Sequence, residues 1–161
     1  MRFTLPRAEW ALVLEDSALR TLYSRVQNDR RCTESVGQLY SPSLSSSEVV
    51  VRIATVLKPK SASRASVVID RALADSERST MFDAGMHCIG MWHTHPEPRP
   101  YPSSADIKLA EDYAQAACRV GLAGIVFMIA GTAAFPEGLY VGVHDGEKMH
   151  HALPILSTLG E

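Results

Sequence analysis

His93 and His95 stand one residue apart in "GMWHTHPEPRPYPSSAD", the stretch from Gly90 to Asp106. Alternate side chains of an extended strand share a face, so both imidazoles project to one side and Thr94 to the other. Two nitrogen donors then come within reach of one metal ion at about 2.0 to 2.1 Å, the usual zinc to nitrogen distance. Pro96 ends the strand because it has no N–H to give the sheet ladder. After the stiff loop "EPRPYP", the residues "SSAD" read as a helix start, with Ser103 as cap and Asp106 at the third helical position. If the loop folds that helix start back toward the strand end, the Asp106 carboxylate becomes a third ligand. A fourth position then stays open, as in catalytic rather than structural zinc sites. Taken alone, S-x-x-D is a capping box and H-x-H a pair of packing or surface imidazoles; only their joint occurrence is specific.

These residues need a scaffold, and the rest of the chain reads as one. From Asp16 to Arg30, Leu19, Leu22, Tyr23 and Val26 recur at the spacing of one helix face, with Asp16 or Ser17 as cap. "WALVL" ahead of it is a buried strand or an extension of the helix; periodicity leaves both open. "TESVGQLY" has the alternation and glycine of a strand, "SPSLSSS" is a turn-forming linker, and "EVVVRIATVL" is the second arm of a hairpin. "KPKSAS" reads as a polar loop, residues 67–69 as a short strand, and residues 71–86 as a polar helical stretch ending near Gly85. "HCIGMWH" is the strand that enters the motif, and residues 104–120 form an alanine-rich helix with Ile107, Ala110, Ala114 and Ala117 on one face. "LAGIVFMIAG" is apolar on both faces and so central, while "GLYVGVHDGEKMHHALPIL" is a hairpin turning at Asp145 and Gly146. The sum is an α+β domain over residues 1–161: one mixed β-sheet with helices ahead of the motif and after it.

Composition narrows the function classes. A chain of 161 residues with 46% hydrophobic and 21% charged content is the size of one globular domain with a full core. The formal net charge of -2 and the absence of long like-charge runs give no phosphate-tracking surface, so nucleic acid is not expected as a partner. Cys32, Cys88 and Cys118 form no C-x-x-C pair and read as buried small hydrophobes in a reducing compartment. "MRFTLPRAEW" lacks the apolar core of a signal peptide, and no window is apolar enough to span a bilayer. The expectation is a cytoplasmic protein without a membrane partner.

"HTHPEPRPYPSSAD" resembles the metal-binding signature of the JAMM (MPN/JAB) zinc metallopeptidases, H-[ST]-H-P followed by six or so residues and S-x-x-D. In that family a glutamate on an early strand, usually within E-T-G-G-x-L-x-G, activates the attacking water. Here "ESVGQLY" from Glu34 to Tyr40 takes that place: Glu34, Gly37 and Leu39 match, while Val36 and Tyr40 replace glycines. The resemblance implies a JAB/MPN domain of cytidine-deaminase-like fold holding one zinc ion (Zn2+) on His93, His95 and Asp106. It implies Glu34 as general base and proton shuttle and Ser103 as oxyanion support, the latter role competing with helix capping for the same hydroxyl. Trp92, just before the histidines, resembles bacterial members encoded with ubiquitin-like conjugation enzymes in antiphage defence operons, though a packing role also suits it. The resemblance implies as partners the C-terminal tail of a ubiquitin-like protein and its conjugates, with E1-like and E2-like enzymes of the same operon.

His87, His144, His150 and His151 read as structural or surface residues, because even His87 lies too far along its strand to share the ion. Arg99 and Tyr101 belong to a solvated loop that could touch a substrate tail. Three other functions compete with this one. A non-catalytic scaffold of the same family typically loses ligands, whereas all are present here. A nucleobase deaminase needs H-x-E together with P-C-x-x-C, a combination this chain lacks. A peptidase of the same kind could instead cut a small amide or a sulfur-carrier adduct.

Overall fold

Along the strand β8 (His87–Thr94), Met91 and His93 face one way and Trp92 and Thr94 the other, and this alternation divides the molecule into two layers. The computed structural model describes residues 1–155. Ahead of β8 come β1 (Arg2–Thr4), β2 (Ala11–Leu14), α1 (Asp16–Tyr23), β3 (Val36–Ser41), β4 (Glu48–Val51), β5 (Ile53–Ala54), β6 (Ser61–Ser63), β7 (Ser66–Val68) and α2 (Arg71–Asp83). After it come α3 (Ser104–Arg119), β9 (Ile125–Ala130), β10 (Leu139–His144), β11 (Met149–His151) and β12 (Leu153–Pro154).

The central sheet has the order β11-β10-β9-β8-β3-β5, in which only β8 and β9 run parallel. α3 packs on one face, over Met91, Phe127, Ile129 and Tyr140. The other face is covered by α1 and a second sheet of order β12-β1-β2-β4, where Trp92, Met128, Leu12, Leu22 and Val51 share the larger core. Both faces of β9 are therefore buried, as the unbroken apolar run "IVFMIA" requires. Trp92 is fully buried in that core and its Nε1 donates to Thr55 O at 2.9 Å, so it is a packing residue.

Several expectations are corrected. The sheet is not single: "EVVVRIATVL" breaks at exposed Arg52, sending β4 to pair in parallel with β2 and β5 to pair with β3. An apolar run carries no sign of such a switch, because each half is buried in the same core. "WALVL" is a strand, not helix. The first helix stops at Tyr23 rather than Arg30, and Val26 packs on the core from a turn. Part of "KPKSAS" is not loop but the first arm of the β6–β7 hairpin, closed by Lys60 N donating to Val68 O at 2.9 Å. Cys118 is exposed and Cys32 and Cys88 only half-buried, so none is a buried core residue.

Candidate metal centre

The strand, loop and helix of the motif fold as the proline-rich spacing demands. His95 N donates to Ala130 O at 3.0 Å, so β8 stays zipped to β9 up to the second histidine. The loop then turns under the end of β9, where Thr132 N and Ala133 N donate to Glu97 O and Pro98 O, each at 3.0 Å. Gly131 makes that approach feasible, since a Cβ there would lie 2.5 Å from Glu97 O. The loop thus returns α3 with its N-terminus beside the histidines. Ser103 is the cap and Asp106 the third helical residue: Asp106 N donates to Ser103 Oγ at 3.2 Å and Ser103 N to Asp106 Oδ2 at 2.7 Å, a complete capping box.

His93 Nε2 and His95 Nε2 are 3.0 Å apart, with Asp106 Oδ1 3.2 Å from the first and Oδ2 3.4 Å from the second. Four ligands placed tetrahedrally at about 2.0 to 2.1 Å would be about 3.3 Å from one another, so these spacings fit one ion. Among the described residues this is the group of three donors so placed, all within 4.8 Å of one another. Two imidazoles and a carboxylate suit a borderline-soft divalent metal. Ser103 Oγ also donates to Asp106 Oδ2 at 2.7 Å, which orients the carboxylate.

Glu34 reaches this centre from a different part of the chain. It does not lie on β3 but two residues ahead of it, held by Glu34 N donating to Ser63 O of the hairpin at 2.8 Å. Its Oε1 is 3.9 Å from His95 Nε2. Glu34, His93, His95, Ser103 and Asp106 all line one groove of about 420 Å³, walled by Ala65, Ser66 and Val67 of the hairpin and by Ala105 and Leu109 of α3. The five residues singled out in the sequence are therefore brought together.

Burial shapes the charges. Glu34 is 5% exposed, and burial raises its pKa from 4.5 to about 7, with the neighbouring Asp106 and Glu97 carboxylates adding to the rise and His95 opposing it. Burial pushes His93 down and keeps it neutral, the form that ligates. For His95 burial acts the same way, but the carboxylates of Asp106, Glu34 and Glu97 outweigh it and raise its pKa. Burial opposes the charge of Asp106 too, yet hydrogen bonds from His93, His95 and Ser103 hold its pKa well below the usual carboxylate range.

Two contributors escaped the sequence reading. Glu97 Oε2 lies 3.5 Å from His95 Nδ1, on the ring edge away from the other ligands. Thr94, pointing away from the groove, accepts from Ser35 N and so clamps the residue next to Glu34. The middle position of H-x-H was the signal for the second. Of the remaining histidines, His144 is buried, His150 pairs with Asp145 at 2.6 Å and His151 stacks on Tyr140, all away from the groove.

An α+β domain with two histidines and an aspartate converging beside a buried glutamate is the class that fold and site define. The chain belongs to the prokaryotic homologs of the JAB domain, whose family model matches residues 17–140. That family includes metallohydrolases. In fold the chain is similar to the solution structure of protein DSY2949 from Desulfitobacterium hafniense, at a TM-score of 0.64 and 16% identity over 87% of this chain and 88% of that one. No curated protein matches the sequence. Among the described residues no helix is long and apolar enough to cross a membrane.

Proposed function

We propose that this chain is a single-domain, zinc-dependent peptidase that hydrolyses the peptide or isopeptide bond after the C-terminus of a ubiquitin-like protein. The observation that carries the reading is the 3.9 Å approach of the buried Glu34 carboxylate to a His93, His95 and Asp106 set whose spacings fit one ion. Bound there, zinc supplies Lewis-acid polarisation of the scissile carbonyl and acidifies water enough for attack near neutral pH. Glu34 takes the proton of the attacking water and returns it to the leaving amine. Ser103 is assigned to the developing oxyanion, for which the substrate competes with Asp106 Oδ2 for the hydroxyl hydrogen.

The groove accepts an extended chain. β7 pairs only with β6 among the described residues, and its Ser66 and Val67 wall the groove. A C-terminal tail added as a third strand beside β7 runs past Glu34 with its backbone fixed. The biological setting consistent with this is cytoplasmic processing or deconjugation in a bacterial antiphage operon, beside activating and conjugating enzymes.

The test is a ubiquitin-like protein fused through its tail to a reporter, incubated with the zinc-loaded chain and with Glu34→Gln. The parent should cleave after the tail, hold one zinc per chain, and lose at least about a thousandfold in kcat in the variant. Equal cleavage by Glu34→Gln, or cleavage of small amides alone, overturns the reading.

A further inference from the structure

The overall charge of -2 conceals a strong local imbalance on one rim of the groove. Residues 24–33 and 56–66 carry Arg25, Arg30, Arg31, Lys58, Lys60 and Arg64 against one acid, Asp29. These two segments fold against each other. Arg64 Nη1 donates to Asp29 O at 3.0 Å, and Gln27 Nε2 bridges Arg64 O and Cys32 O at 2.9 and 3.2 Å. The carboxylate of Asp29 is spent locally, accepting from Arg31 N at 2.7 Å. All six cations are exposed, and none lies in an ion pair among the described residues, where the surface pairs involve Arg2, Arg52, Arg78 and Lys108.

The position of this rim matters as much as its sign. Arg25 and Lys58 line a cleft of about 390 Å³ that shares Glu34 with the groove. Arg64 sits at the tip of the β6–β7 hairpin, next to Ala65, which walls the groove itself. A folded protein whose tail enters along β7 from the hairpin tip brings its body beside Arg64 and the segments packed against it. Exposed like charges on two segments folded against each other repel, and an oppositely charged partner relieves that repulsion while raising the encounter rate.

We propose that the basic rim docks the body of the substrate protein, and that this body presents an acidic surface beside its C-terminal tail. The inference rests on the peptidase reading and adds the class of substrate. A nucleic acid is the weaker occupant, because the rim offers no free stacking platform among the described residues: Tyr23, the aromatic next to it, is already stacked on Phe135 at 4.0 Å, and its hydroxyl oxygen accepts from Phe135 N.

Three probes test it: an acidic ubiquitin-fold protein with an intact tail, the same protein with the tail deleted, and the bare tail peptide with a fluorogenic leaving group. For the intact protein, kcat/KM should fall roughly tenfold as salt rises from about 50 to about 250 mM, while cleavage of the peptide changes less than about twofold. Arg30→Glu/Arg31→Glu/Lys60→Glu should raise KM for the intact protein roughly tenfold with kcat unchanged, and Arg30→Lys/Arg31→Lys should restore it. The tail-deleted body should bind the parent and lose binding to the charge-reversed variant, a readout that needs neither zinc nor cleavage. Binding of the body without cleavage of any tail would sink the peptidase reading and leave the docking surface standing. Equal salt dependence for protein and peptide, or tighter binding of a single-stranded oligonucleotide than of the acidic body, overturns the docking proposal alone.

Discussion

Thr94 Oγ1 accepts a hydrogen bond from Ser35 N at 2.9 Å while Thr94 N donates to Ser35 O at 3.0 Å, so the residue between the two histidines grips the residue beside Glu34. One strand end thereby fixes both the histidine pair and Glu34. Val36 lies opposite His93 in the same ladder, which continues the grip into β3.

Thr94→Val keeps the shape and removes the acceptor, leaving Ser35 N unpaired. The expected loss is about 1 to 3 kcal/mol of stability, with a fall in kcat and unchanged zinc content, while Thr94→Ser retains both. Activity assays alongside metal analysis check this; a Thr94→Val enzyme as fast as the parent removes Thr94 from the positioning of Glu34.

Glu34 carries a stability cost with a defined pH window. Because its pKa rises from 4.5 to about 7 on folding, the folded chain binds more protons than the unfolded one between those values. Stability of the metal-stripped protein therefore falls as pH rises through that window and levels off above it. Glu34→Gln should abolish this slope and stabilise the metal-stripped chain at pH 8 by about 2 to 3 kcal/mol, with little change at pH 4. Urea unfolding at both pH values decides it, and identical pH slopes in the two proteins exclude the effect.

Ser103→Ala removes a cap and an orienting contact together. The cap is worth about 1 kcal/mol, and the lost hydroxyl contact to Asp106 should weaken zinc binding about 10- to 100-fold. Chelator competition measures the second loss separately from the first, which thermal unfolding reports. Unaltered zinc affinity would show that the capping box orients Asp106 through Ser103 N alone.

Gly37 lies opposite Trp92 in the β3–β8 ladder, and a Cβ there would come 1.8 Å from Thr55 O and 2.6 Å from Trp92 Nε1. A backbone oxygen cannot rotate away. Gly37→Ala should lower the thermal midpoint markedly, by at least the 1 to 3 kcal/mol of typical overpacking, about 5 °C or more. A variant melting with the parent contradicts the close packing of β3, β5 and the indole.

Much of this centre was legible because its parts are local. H-T-H-P fixes strand direction and strand end, and S-x-x-D fixes a helix start, so His93, His95, Ser103 and Asp106 follow from short-range geometry. Glu34 needed the family pattern, since nothing in residues 33–40 says which strand they join. The elements that were misplaced failed for a similar reason. "EVVVRIATVL" looks like one strand because burial, which the sequence reports, is the same in both sheets, while pairing partners, which it does not report, differ at Arg52. The first arm of the β6–β7 hairpin was hidden because "SAS" has no apolar alternation; its order comes from contacts with residues 27–34.

The register that sets Val36 against His93 joins residues far apart in the chain, whereas the three metal donors sit within fourteen consecutive positions. Bringing the three donors together is thus a short-range matter and bringing Glu34 to them a long-range one. The three donors meet through one strand, loop and helix start, whereas Glu34 joins them only where β3 is paired with β8.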